Sequence, residues 1–166
     1  MTGPKNLTAI DRTGSPYSIM ESELKWRPSA YGIVIENDKI LLCPHLSGGY
    51  DLPGGGVEIN ESLKEAVERE VREETGLTVR AKECIAVREN MIIFEPNELH
   101  DRQVRHVILF YYQCIKTGGG ISTDGFDEWE KKHTGVAEWV ALDKLDALKI
   151  VSTVDFRDIV KKAVNL

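Results

Sequence analysis

Apolar and β-branched residues crowd positions 31–35 and 40–43, and the polar run Glu36-Asn37-Asp38-Lys39 lies between them. That alternation of blocks predicts a β-hairpin. Shorter strand-like runs follow at 77–79, 84–87 and 91–94, and a long apolar run at 106–115 predicts a buried strand. Residues 138–142 predict a last strand, followed by a turn of helix from Asp143. Two segments carry helical periodicity instead. One runs from Ser62 to Thr75, and the other closes the chain with Phe156, Ile159, Val160, Ala163 and Val164 on one face. Before residue 27 the pattern weakens. Residues 1–26 are expected to form an arm with short strands at 7–10 and 17–20, and residues 27–166 a single domain. Strands before, between and after two helices predict an α/β chain of the α+β type, a mixed sheet with helices on both faces.

The first helix has strong boundaries. Ser62 with Glu65 makes a capping box, and Gly76 stands at the C′ position. On a wheel of about 100° per residue, Leu63 and Ala66 fall within about 40° of Glu70, and Val67 within about 60°. Glu74 lies about 40° away and Glu73 about 60° away, so three acids border the apolar face. Lys64, Glu65, Glu68 and Arg72 already serve the solvent side. Carboxylates crowded in a partly dry place raise one another's pKa values, and a hard divalent cation removes that penalty. Arg69 is spaced to hold a flanking carboxylate, one turn from Glu65 and from Glu73. Just before the helix, Gly54, Gly55 and Gly56 allow a tight backbone turn close to a metal or phosphate. No Lys-Ser/Thr follows this triplet, which excludes a P-loop, and its spacing fails the dinucleotide fingerprint.

Composition narrows the partners. With 21 basic and 27 acidic residues the net charge is −6, which argues against long nucleic acid as ligand. Cys43, Cys84 and Cys114 are odd in number and far apart. No CxxC pair exists, and His45, His100, His106 and His133 give no zinc spacing with them. They are expected to be buried free thiols in a reducing cytoplasm. No signal-like leader and no apolar run of membrane-spanning length is present, so no membrane partner is expected.

The residues Gly55, Glu61 and then Arg69-Glu70-Val71-Arg72-Glu73-Glu74-Thr75-Gly76-Leu77 stand at the spacing of the Nudix box without a mismatch. A chance match is on the order of one in ten million, so this segment marks the chain out. The chain resembles the Nudix (MutT-like) hydrolase family across roughly residues 27–166, with Ile59-Asn60 where the family often has Pro-Gly. Asn60 is expected to supply a left-handed residue there.

The resemblance implies an α/β/α sandwich that hydrolyses a nucleoside diphosphate linked to another moiety. It implies Mg²⁺ or Mn²⁺ held by the Gly54 carbonyl, Glu70, Glu73 and Glu74, with Glu70 alternatively the general base. Arg69 would orient the acids and Glu61 support the junction, with Glu58 a candidate accessory ligand. A further acid is expected from Asp127, Glu128 or Glu130, with Glu128 favoured, and Trp129 beside it is read first as a buried loop anchor and second as a ring for stacking on a base. Substrate contacts are expected from Gly55, Gly56, Arg27 and Arg88, with Arg102 and Arg105 as further arginines. A nucleotide-sensing domain without catalysis, an isoprenoid-diphosphate isomerase, and a homodimer stay open. No EF-hand pattern supports a calcium-binding structural role.

Overall fold

The computed structural model describes residues 6–11, 14–94 and 101–165. His100 and the first five residues of the arm lie outside them. Strand β3 (Leu24–Glu36) is the axis of the sheet. Its alternate side chains feed two cores. Ile33 joins Ile40, Leu42, Ile92, Val107 and Leu109 on one face, whereas Ala30 and Val34 join Leu41, Val67 and Val71 on the other. A period-2 strand apolar on both faces demands cover on both. Helix α1 (Leu63–Thr75) covers one face and α3 (Arg157–Val164) covers the other, the expected α/β/α sandwich.

β3 turns into β4 (Lys39–Pro44) through Asn37 and Asp38, both left-handed at φ 51° and 57°. Two such residues in a two-residue loop are the signature of a tight hairpin turn, where Asn and Asp cost less than other side chains. Beyond β4 lie β5 (Tyr50–Asp51) and β9 (Glu138–Ala141). On its other side β3 pairs in parallel with β8 (Gln103–Gly119), which is antiparallel to β7 (Leu77–Phe94). β7 absorbs the three separate runs expected from the sequence. Register shifts near Thr78, Ala81 and Cys84 let one strand change facing while it stays paired. The irregularity also brings Cys84 to the surface, against the expected burial, while Cys43 and Cys114 are buried free thiols. The strand runs past the expected 106–115, with Gly118 and Gly119 still paired with Thr78 and Leu77.

The arm forms the hairpin of β1 (Asn6–Ile10) and β2 (Pro16–Met20), and it extends the sheet by parallel pairing of Ile10 with Ile92. Ala9, Ile19, Ile93 and Val104 make a third core beneath it. Ile19, 2% exposed, is therefore expected to cost about 2–4 kcal/mol when changed to alanine. Urea unfolding measures this, and a loss below about 0.5 kcal/mol would mean that the arm unfolds separately. Phe156 at the N-cap of α3 and Ile159, Val160 and Ala163 within it are buried as expected, but Val164 is half exposed at the fraying end. Among the described residues no helix is long and apolar enough to cross a membrane.

Candidate active site

Local chemistry fixes α1 at both ends. Ser62 Oγ accepts the Glu65 N–H at 3.3 Å and Glu65 Oε2 accepts the Ser62 N–H at 2.8 Å. At the other end Gly76 takes φ 76° and donates its N–H to Arg72 O at 2.8 Å. A helix pinned in this way presents Ala66, Val67, Glu70, Val71 and Thr75 inward. Glu70 is thus carried to 9% exposure by its apolar neighbours.

The glycine triplet is not the turn expected from its composition. Gly54–Gly56 is a short strand, β6, paired with β3 at Ser29–Tyr31. It is wedged between β3 and α1, which explains the absence of side chains. A Cβ at Gly54 would come within 2.4 Å of the Ala30 carbonyl, and one at Gly55 within 2.6 Å of Glu70 Oε2. The Gly54 N–H donates to Glu74 Oε2 at 2.9 Å, and the Cys43 thiol reaches the same oxygen at 3.7 Å. Asn60 is not left-handed: among the described non-glycine residues only Asn37 and Asp38 are. The junction closes instead through Glu61 Oε1, which accepts the Glu58 N–H at 2.8 Å.

Arg69 ties these parts together with five hydrogen bonds, as many as a guanidinium has N–H groups. Nε and Nη2 grip Glu61 at 3.0 and 2.6 Å, Nη1 reaches Glu70 at 2.9 Å and Glu73 at 3.0 Å, and Nη2 also donates to Gly56 O at 3.0 Å. Its bidentate partner is Glu61, not Glu65, which the capping box engages. Glu68, expected on the solvent side, accepts the Ala81 N–H at 2.9 Å and ties α1 to β7.

The acids sit on the wall of a cleft of about 840 Å³. Burial pushes Glu70 up to about 7, with Glu73 and Glu130 adding to the rise and Arg69 opposing it. Burial likewise raises Glu74 well above the usual carboxylate range, and Glu70, Glu130 and Asp51 reinforce it. A model of the NUDIX domain matches residues 26–158.

The chain belongs to the Nudix family of pyrophosphohydrolases. It is similar to a MutT-like protein of Streptomyces ambofaciens, 30% identical over 72% of this chain and 75% of that protein. An ADP-ribose pyrophosphatase of Methanocaldococcus jannaschii is 43% identical over 60 residues, 34% of this chain and 36% of that relative's length. Among solved structures, an ADP-ribose pyrophosphatase from Streptococcus suis superposes with a TM-score of 0.60 at 24% identity. That alignment covers 84% of this chain and 92% of the other, and the likeness is one of fold.

Of the expected site residues, Gly54, Gly55, Gly56, Glu70 and Glu74 line the cleft; Glu73 lies outside the lining and joins them through Arg69. Outside the box the expected residues divide. Arg27, Arg105 and Trp129 reach the cleft. Arg88 instead pairs with Asp158 of α3 at 2.9 Å, and Arg102 with Glu23 at 2.5 Å. Glu128 is exposed, bound to Lys131 at 2.8 Å, and outside the cleft lining; Glu58 is exposed too.

Two acids of this loop line the cleft, exposed Asp127 and half-buried Glu130, the first residue of α2 (Glu130–His133). Asp127 fixes it: the Asp127 N–H donates to Glu130 Oε2 at 2.6 Å, and Asp127 Oδ1 accepts the Glu130 N–H at 2.7 Å. This reciprocal pair has capping-box spacing, the signal that separates an inward Glu130 from an outward Glu128. Asp51 was not expected at the site. It lies two residues before Pro53 in a strand too short to show any pattern.

Among the described residues no three acids, histidines or cysteines stand close enough to cage a metal as they are. The donor chemistry nevertheless suits one. All-oxygen ligands match Mg²⁺ or Mn²⁺, and burial raises Glu70, Glu74 and Glu130, a penalty that a hard cation among them would relieve.

Proposed function

We propose that the chain hydrolyses a diphosphate linkage in a nucleoside diphosphate linked to another moiety, such as a nucleoside triphosphate or nucleotide sugar. Mg²⁺ or Mn²⁺ would be held by the Gly54 carbonyl, Glu70, Glu73 and Glu74, with Glu130 in place of Glu128 as the accessory acid. When bound, such an ion neutralises phosphate oxygens and lowers the pKa of coordinated water. The chain's own residues do the positioning. Arg69 sets the rotamers of Glu70 and Glu73, and the Gly54 N–H sets that of Glu74. In its alternative role of general base, Glu70, pushed up to about 7, would hold or give up a proton near neutrality in place of a metal. Gly55 admits the Glu70 carboxylate close against the strand, and Gly56 admits the Arg27 guanidinium.

The observation that carries this reading is the convergence of Glu70, Glu74 and Glu130 on one cleft beside the glycine strand. An acidic chain with two buried free thiols supports action on a small nucleotide-like substrate in the cytoplasm. A hydrolysis screen tests it, across nucleoside triphosphates, nucleotide sugars and dinucleoside polyphosphates with Mg²⁺, Mn²⁺ or EDTA. Wild type should turn over at least one class with metal only, and Glu70→Gln and Glu73→Gln should lose at least about 100-fold. Three equally inactive proteins would favour the nucleotide sensor, and three equally active ones would remove the assigned roles.

A further inference from the structure

The same cleft also carries charge of the other sign. β3 and β8 pair in parallel with Lys25 beside Arg105 and Arg27 beside Val107. Residues two apart on a strand share a face, so Lys25, Arg27 and Arg105 project from one side of the sheet. From the strand spacing and rise, the Arg27 and Arg105 positions lie roughly 8 Å apart. Both line the cleft, over an apolar floor that includes Val107 and Leu109.

Neither arginine has a carboxylate within ion-pair range among the described residues, whereas Arg69, Arg88, Arg102 and Arg157 each do. Arg105 Nε and Nη2 both donate to the neutral Gln103 Oε1, at 3.1 and 2.5 Å. Burial, and then Arg27, lowers the Arg105 pKa, so the two cations feel one another. Asp11 also borders the cleft, but its carboxylate holds Ser15 and Tyr17. Two half-buried, mutually repelling guanidinium groups are costly in a chain of net charge −6 unless an anion joins them.

The glycine strand links the two poles. On Gly55 the nearest side chain is the Glu70 carboxylate, and on Gly56 it is the Arg27 guanidinium, 3.0 Å from where a Cβ would stand. Gly55 and Gly56 face opposite sides of their strand, so Glu70 and Arg27 flank it, and both line the one cleft together with Arg105. We propose that Arg27 and Arg105 form a second anion subsite, which takes a phosphate carried by the substrate beyond the scissile diphosphate. This rests on the hydrolase reading and chooses within it: substrates with a third phosphate or a phosphorylated leaving moiety over those with a neutral sugar. A planar fork grips phosphate bidentately, so a lone ammonium is a poorer substitute.

The test uses wild type, Arg105→Gln and Arg105→Lys, with Arg27→Gln carrying the comparison if Arg105→Gln does not fold. In EDTA, inorganic tripolyphosphate is titrated calorimetrically. Wild type should bind it, Arg105→Gln at least about 10-fold more weakly, and Arg105→Lys between the two. With Mg²⁺, the KM ratio of a nucleotide sugar to a nucleoside triphosphate should fall at least about 10-fold in Arg105→Gln, through KM more than kcat. Equal tripolyphosphate binding by wild type and Arg105→Gln overturns the subsite, as does an unchanged KM ratio. Should wild type hydrolyse neither substrate, the hydrolase reading falls, and the titration in EDTA still decides the subsite.

Discussion

Arg69→Ala is expected to lower hydrolysis by about 100-fold or more and destabilise the fold by roughly 2–3 kcal/mol. The guanidinium is only 19% exposed and is the shared donor for Glu61, Glu70 and Glu73. Removing it leaves three carboxylates without their cation and frees Glu70 and Glu73 to leave their rotamers. A buried pair broken on one side costs about 3–5 kcal/mol, and partial solvent access trims that figure here. Lysine should rescue little, because one ammonium cannot face Glu61 bidentately and still reach Glu70, Glu73 and Gly56 O. Steady-state kinetics and urea unfolding of Arg69→Ala and Arg69→Lys check both parts. If the lysine variant matches wild type, the planar network is not what positions the acids.

Glu70→Gln should separate activity from stability. The variant loses hydrolysis, yet without metal it should be more stable than wild type at pH 8. In the folded chain Glu70 is pushed up to about 7, against 4.5 for an unperturbed carboxyl. Between those values the folded state holds more protons than the unfolded one, so stability falls as pH rises. The loss from this group is roughly 3 kcal/mol, complete above about pH 7. Glu74 and Glu130, both raised, act in the same direction. Glu61 acts oppositely: Arg69 lowers it, so its stabilisation is lost only as pH falls below the ordinary carboxyl range. Glutamine at 70 cannot ionise, and its thermal melts in EDTA should be flatter from pH 5 to 8. A wild-type curve already flat in that window would mean that Glu70 is not destabilised by burial.

Local signals account for what the sequence made legible. Helix α1 carries its own stop signs in Ser62, Glu65 and Gly76, and its wheel placed Glu70 and Glu74 toward the protein. The hairpin at Asn37-Asp38 is likewise a property of the residues in it. What stayed hidden depends on neighbours distant in sequence. Three consecutive glycines have no pattern, and only the space between β3 and α1 makes them a strand. The three runs of β7 become one because β8 pairs with all of them. The choice of Glu130 over Glu128 was available locally, in the Asp127–Glu130 spacing. Arg88 could not be assigned by sequence, since only the packing of α3 brings Asp158 to it.

The carboxylate wall is proposed to bind a divalent cation. This is tested most directly by melting the wild-type protein in Mg²⁺ and in EDTA at pH 5, 6, 7 and 8. Mg²⁺ binds the ionised acids and must displace their protons, so its benefit depends on pH. A small difference in Tm is expected at pH 5, widening steadily to pH 8, with a much smaller difference in Glu70→Gln. A difference that is absent, or equal at every pH, would contradict it.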